Sequence, residues 1–350
     1  MQQKIRVMVV DDSLVFRTWL VQSLGADPRF EVVGYAINAI DAKNKLPLLK
    51  PDIMTLDIEM PGMTGLEFLK EVLPSHPVPV ILVSSLNVRV FDALAAGAVD
   101  FVRKPEEGQK EVFLRNLKAK LAIGSNARVR LPQQAQAAAP RTTASLPHFT
   151  PSSVNINTAG VDLIAIGAST GGTEAILDVV RHFPAKMPGI VVTQHMPPGF
   201  TAMYAERLNR ICKLEVKEAK HGDRVQPGLI LLAPGGLQMR VVRMGVGYSV
   251  SCTAEEKVSG HQPSVDVLFT SVAANVKNKA IGVILTGMGA DGAAGMLRMR
   301  KAGAYTIGQD RESCVVYGMP MEAYKIGAVC QQASLLNIPQ LVMARLSKPS

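Results

Sequence analysis

The run IAIGASTGGTEAI, residues 164–176, decides how the larger part of this chain is read. Its apolar start has the character of a strand, the glycines beyond Ile166 permit a tight turn, and a helix is expected from about Thr173. Backbone N–H groups at the start of that helix would point at whatever sits above Ser169. A phosphate cradle and a support for a nucleophile share this geometry. A P-loop ends in Gly-Lys-Ser/Thr, but Gly171-Gly172 is followed here by Thr173-Glu174. A dinucleotide fingerprint needs G-x-G-x-x-G and an acid closing the second strand, whereas the second strand, GIVVTQHM, runs into Gln194 and His195. Gly167-Ala168-Ser169-Thr170-Gly171 does fit G-x-S-x-G, the nucleophile elbow.

A nucleophile needs a base, a group that orients the base, and donors for an oxyanion. Working outward along the chain, apolar runs recur at DLIAIGA, GIVVTQ, GLILLAP, AIGVILTG and AYTIGQD, separated by helical patterns. That alternation predicts a second, larger open α/β sheet, a Rossmann-like unit with a parallel core. Ligands bind such sheets outside the carboxyl ends of the strands. The strand-end residues are Ser169, His195 and, from LTGMGADGAAG, Asp291. Each has an ordinary reading: a turn serine, a loop histidine before Met196-Pro197-Pro198, a cap for a helix starting at Gly292. Their joint placement favours a triad, which geometry defines and chain order does not. The hydrolase order Ser–acid–His would instead recruit an acid such as Asp223 ahead of His261, but this serine follows the first strand of its domain. His261 itself reads equally as a residue lining the cleft or as an ordinary loop side chain.

The first part of the chain is a second α/β unit. IRVMVV, FEVVGYA, DIMTLDI, VPVILVSS and DFVRKP alternate with helical patterns, so a five-stranded, doubly wound parallel sheet is expected. Polar residues close these strands: Asp11 and Asp12, then Asp57, then Ser84 and Ser85, then Lys104 before Pro105. Clustered carboxylates repel and need a cation, and an all-oxygen set suits Mg²⁺. Between the two units, residues 124–160 are rich in Ala, Gln, Ser, Thr and Pro with few large apolar residues, the composition of a tether. The expected organisation is therefore 1–123, a linker at 124–160, and 161–347.

Bulk composition agrees with this. A length of 350 residues exceeds one ordinary core. No apolar run approaches the ~20 residues of a membrane span. The start, MQQKIRVMVVDDS, lacks the pattern of a signal peptide. Cys212, Cys252, Cys314 and Cys330 are widely spaced and form no CxxC pair, as suits reduced thiols in a cytoplasm. The net charge of +9 is uneven: residues 1–125 hold 15 basic and 15 acidic side chains, while 161–350 hold 20 and 14. A basic surface suits nucleic acid, anionic lipid or an acidic protein partner, but those charges are scattered singly without a K/R-rich block, so ordinary solvated faces account for them equally well.

The first ~120 residues resemble a two-component receiver domain, the phosphoacceptor module of response regulators. GASTGG, QHMPPGFT, LAPGG, HQPSVDVLF and LTGMGADG, in that order, resemble the catalytic domain of the chemotaxis protein-glutamate methylesterases, the CheB family. The receiver resemblance implies phosphorylation at Asp57, Mg²⁺ held by Asp12, Asp57 and the Glu59 carbonyl, and supporting roles for Asp11, Ser84, Phe101 and Lys104. The segment from Ser84 to Lys104 is shorter than that family's usual one, so a trimmed fourth helix is expected. The second resemblance implies hydrolysis of glutamate methyl esters on methyl-accepting chemoreceptors, with release of methanol and deamidation of receptor glutamines. It also implies oxyanion donors in the backbone of Thr170 and Met288, and no cofactor for the hydrolysis. A chemotaxis histidine kinase would be the phosphodonor. In the family's scheme the unphosphorylated receiver covers the catalytic cleft until phosphorylation moves it away. The competing expectation is a response regulator whose output domain binds DNA or protein without catalysis. That predicts a short module with a basic recognition helix, which this sequence lacks.

Overall fold

The two sets of apolar runs become two parallel sheets. The computed structural model describes residues 3–85, 89–131 and 160–347, and the chain divides into two compact units, Met1–Arg141 and Thr142–Ser350. Residues 132–159 of the expected linker lie outside the described residues. At its near end, Gly124 still belongs to the last helix of the first unit, and Ala127 donates its N–H to the Gly124 carbonyl at 2.9 Å.

In the first unit β1 (Ile5–Val10), β2 (Phe30–Ala36), β3 (Ile53–Leu56), β4 (Val80–Ser84) and β5 (Asp100–Arg103) alternate with five helices. These are α1 (Leu14–Gly25), α2 (Ala39–Leu49), α3 (Gly65–Val72), α4 (Arg89–Ala95) and α5 (Lys110–Gly124). The sheet order is β2-β1-β3-β4-β5, with every pairing parallel. Strands β3 and β4 are buried along their whole length because helices cover both faces, which is why their sequences run apolar without alternation. Local signals start the helices: Ser13 caps α1, Asn38 caps α2, and Thr64 with Glu67 forms a capping box on α3. The described fourth helix is short, seven residues. The chain leaves β1 toward one side and returns to β3 on the other, so the switch point lies between the strands that carry Asp11, Asp12 and Asp57.

The second unit is built on a seven-stranded parallel sheet, β15-β14-β13-β6-β7-β10-β8. Its strands are β6 (Leu163–Ala168), β7 (Gly189–Gln194), β8 (Glu215–Glu218), β10 (Leu229–Leu232), β13 (Ala280–Ile284), β14 (Tyr305–Gln309) and β15 (Gln331–Ala333). Strands β9 (Arg224–Val225), β11 (Gln238–Met244) and β12 (Gly247–Thr253) form a separate antiparallel sheet. The helices are α6 (Gly172–Val180), α7 (Phe200–Ile211), α8 (Val265–Asn275), α9 (Ala293–Lys301), α10 (Met319–Lys325) and α11 (Ile338–Leu346). The five apolar runs read as strands are strands β6, β7, β10, β13 and β14. Around them the structure adds the two edge strands, whose sequences EVKE and QQA are polar, and the small antiparallel sheet.

Strands β6, β7 and β13 are wholly buried and lie side by side. Helix α8 packs directly on β6 at Gly167, where a Cβ would fall 2.2 Å from Val265 Cγ1. Only a glycine lets the first turn of α8 come so close to the strand that leads to Ser169.

Candidate functional site

Ser169 stands just beyond β6, in the turn that Gly171, at φ 74°, closes as the N-cap of α6. Two contacts fix the serine's backbone: its N–H donates to the Thr286 carbonyl at 3.0 Å, and its carbonyl accepts from Gln194 Nε2 at 2.9 Å. His195 is the first residue past β7, and its N–H extends the ladder to the Ala168 carbonyl at 3.2 Å. Because β7 and β13 flank β6, a histidine after one and an acid after the other converge on the serine between them.

The side chains meet in series. His195 Nδ1 lies 3.1 Å from Ser169 Oγ, and His195 Nε2 lies 2.7 Å from Asp291 Oδ2. The imidazole thus offers Nδ1 to the hydroxyl and Nε2 to the carboxylate. The tautomer that donates Nε2–H to Asp291 leaves Nδ1 able to accept the serine proton.

Asp291 is not the cap of α9, a position held by Gly292. Instead its carboxylate sits at the N-terminus of α8. Oδ1 accepts from Ser264 Oγ at 2.7 Å and from the Asp266 N–H at 3.0 Å, and Oδ2 accepts from the Val265 N–H at 2.8 Å. Burial alone would raise this carboxyl. The hydrogen bonds from His195, Ser264 and Asp266 outweigh it and hold the group below the usual carboxylate range. The neighbouring Asp266 goes the other way, raised by burial although the Gly295 N–H donates to it at 2.6 Å.

Sequence reading missed this supporting layer. Ser264, Gln238 and Gln194 act through partners far away in the chain: Gln238 Oε1 accepts the Ser264 N–H at 2.8 Å, across 26 residues. The available signal was local, a serine ahead of the periodic run VDVLF, which marks a helix N-cap. Of the alternatives, Asp223 is elsewhere, paired with Lys217 at 2.7 Å. His261, left open from sequence, stacks on His195 with ring centroids 3.6 Å apart and planes 9° from parallel.

The backbone beside Ser169 is unusually close. A Cβ on Gly287 would lie 2.7 Å from Ser169 Cβ and 2.3 Å from Met319 Sδ, so the chain enters Met288 pressed against the serine. Thr170 is buried, and its carbonyl accepts from Thr286 Oγ1 at 3.0 Å. The Met288 N–H has no hydrogen-bond acceptor among the described residues. An ester carbonyl brought to Ser169 would meet a hydroxyl backed by a base, with backbone from these two segments around it.

In the first unit, Asp11, Asp12 and Asp57 each offer a carboxylate oxygen within 4.8 Å of the others. Lys104 Nζ bridges two of them, 2.5 Å from Asp57 Oδ2 and 3.0 Å from Asp11 Oδ2, while Asp57 Oδ1 accepts the Glu59 N–H at 3.1 Å. Burial pushes Asp57 above the usual carboxylate range, opposed by Lys104 and reinforced by Asp11. Lys104 is itself desolvated, yet Asp57 and Asp11 raise it above the ordinary lysine value. Ser84 Oγ is buried without a hydrogen-bond partner among the described residues, and Phe101 is buried. Three carboxylates against one ammonium leave excess negative charge and only oxygen donors, a set that fits a hard divalent cation.

One sheet edge thus carries a Ser–His–Asp hydrogen-bond series and the other a cluster of three carboxylates beside a lysine. The family model for CheB methylesterase matches residues 164–342, and that for the response regulator receiver domain matches residues 7–114. The chain belongs to the CheB methylesterase family. It is 49% identical to a "Protein-glutamate methylesterase/protein-glutamine glutaminase 2" of Syntrophomonas wolfei, covering 97% of this chain and 96% of the relative. A protein-glutamate methylesterase/protein-glutamine glutaminase of Syntrophotalea carbinolica is 48% identical, covering 99% of both chains. The crystal structure of the Thermotoga maritima CheB methylesterase catalytic domain is 34% identical, with a TM-score of 0.52, and covers 53% of this chain and 98% of that chain. A catalytic family across half of the chain disfavours the binding-only output. Among the described residues no helix is long and apolar enough to cross a membrane.

Proposed function

We propose that this chain hydrolyses glutamate methyl esters of methyl-accepting chemoreceptors, releasing methanol, and deamidates receptor glutamines at the same site. The observation that carries this reading is the continuous hydrogen-bond series Ser169–His195–Asp291 at the ends of adjacent strands, in a chain of this family.

Ser169 Oγ attacks the ester carbonyl while His195 Nδ1 takes its proton. The new C–O bond pushes the carbonyl electrons onto oxygen, where the backbone N–H groups of Thr170 and Met288 receive the oxyanion. One such donor is worth about 3 kcal/mol. Asp291 keeps the imidazole in the Nε2–H tautomer and stabilises the imidazolium. The same proton passes to the departing methoxide, giving methanol and a glutamyl-serine ester. Water, deprotonated by His195, then cleaves that ester to restore Ser169 and leave a glutamate. With glutamine as substrate, ammonia departs in place of methanol.

Control comes from the receiver. Asp57 is the phosphoacceptor, Ser84 and Lys104 take phosphoryl oxygens, Asp11 supports the site, and Phe101 links it to the surface. Asp12, Asp57 and the Glu59 carbonyl would hold Mg²⁺, which supplies neutralisation of the phosphoryl charge. A chemosensory histidine kinase in the cytoplasm is the donor, and the substrate receptors present an acidic face to the basic second unit.

The test is release of labelled methanol from methylated receptor by the full chain and by Ser169→Ala. Loss of release with receiver phosphorylation intact supports the reading, and near-native turnover overturns it.

A further inference from the structure

The two hydrogen bonds of His195 lie at opposite edges of its ring, 3.1 Å to Ser169 and 2.7 Å to Asp291. Edge bonds tie each nitrogen to a single partner but leave the ring able to rock, which carries Nδ1 out of line with the serine. Something must set the plane. We infer that His261 is the positioning residue that does so: its ring lies flat on the His195 imidazole at 3.6 Å and 9°, closing one face of the base. This deepens the assignment of His195 as the base and rests on it.

His261 is placed with care by its surroundings. Its own N–H and carbonyl pair with Val258 in both directions, at 2.9 and 3.1 Å. The fully buried side chain of Gln238 donates Nε2 to the His261 carbonyl at 3.1 Å and accepts the Ser264 N–H through Oε1 at 2.8 Å. Ser264 in turn donates to Asp291. One buried amide therefore ties together the wall behind the base and the support beneath its carboxylate. A flat π surface against the base has two physical effects. It restricts the tilt that would swing Nδ1 off the serine oxygen, and its electron-rich face accommodates the positive charge that His195 acquires during attack. Neither effect requires a proton on His261, and both require planarity.

Planarity is what the experiment separates. Full-length chains carrying His261→Phe, His261→Leu, His261→Met and His261→Ala are compared with wild type and Ser169→Ala for methanol release from methylated receptor, resolving kcat and KM, with thermal unfolding followed alongside. Loss of the wall misplaces the base, and misplacement on the ångström scale costs on the order of tenfold to a hundredfold in rate. The aliphatic and alanine variants should therefore lose about tenfold or more in kcat with KM little changed, and the phenylalanine variant should recover to within about threefold of wild type. Should alanine destabilise the unit, Leu and Met carry the comparison with Phe. Full kcat in Leu and Met overturns the inference. So does a Phe variant as slow as Leu, because the nitrogens and not the face would then matter. An active Ser169→Ala would instead bring down the underlying reading of the base, so the two failures are distinct.

Discussion

Asp57 and Asp291 are buried aspartates at the carboxyl edges of two parallel sheets, each beside the point where strand order reverses. Burial pushes both carboxyls upward, yet Asp57 ends above the ordinary range and Asp291 below it. The difference lies in what each is given. Asp291 collects His195, a serine hydroxyl and two amides from the start of α8. Asp57 has Lys104 and one amide, and Asp11 stands close enough to oppose its charge. Within one architecture, the donors brought by neighbouring elements decide whether a buried carboxylate is held firmly as a charge or left with its charge disfavoured.

The largest effect should come from breaking the site around Asp291 at its base. His195→Ala is expected to lower methanol release by on the order of 10⁴-fold or more, because nucleophile and base act as a unit. Asp291→Asn should come next, at up to about 10⁴-fold, through loss of the correct tautomer. Single-turnover methanol release measures both. Asp57→Asn should abolish phosphate uptake from acetyl phosphate, and it should also raise the stability of the first unit, because removing a charge that burial disfavours relieves the folded state. Trp19, the sole tryptophan, sits in that unit, so its fluorescence in a urea titration reports the change. Ser264→Ala should cost least. One hydrogen bond to a charged group is worth about 1.5–3 kcal/mol, so about a tenfold loss in kcat is expected.

The same variant should also change how stability depends on pH. Asp291 has a lowered carboxyl, so its stabilisation is present above the unfolded value of 3.8 and is lost as pH falls through the folded one. Removing the Ser264 donor shrinks that contribution. The stability gap between wild type and Ser264→Ala should therefore be widest near neutrality and narrow on acidification, as read from urea titrations of the second unit by circular dichroism.

How much of this the sequence disclosed depends on chain separation. Strands β6, β7 and β13 are legible because burial on both faces leaves continuous apolar runs; Ser169 and His195 stand directly past the first two, and Asp291 lies in the glycine-rich turn beyond the third. Edge strands such as EVKE are solvated and paired on one side only, so their composition is that of a loop. The support of Asp291 by Ser264 spans 27 residues and depends on Gly167 admitting α8, which no local pattern displays. The nitrogen that faces the serine, and the plane in which His261 holds the ring, are matters of orientation, and residue type alone does not carry them.

The claim that one chain holds two separate chemistries, one awaiting a cation and one complete, is tested most directly by crossing a chelator with two variants. Phosphate uptake from acetyl phosphate and basal methanol release from methylated receptor are measured for wild type, Asp57→Asn and Ser169→Ala, each with Mg²⁺ and with EDTA. EDTA and Asp57→Asn should abolish uptake but leave basal release, whereas Ser169→Ala should abolish release but leave Mg²⁺-dependent uptake. Basal release that vanishes with EDTA, or uptake that vanishes with Ser169→Ala, would contradict the claim.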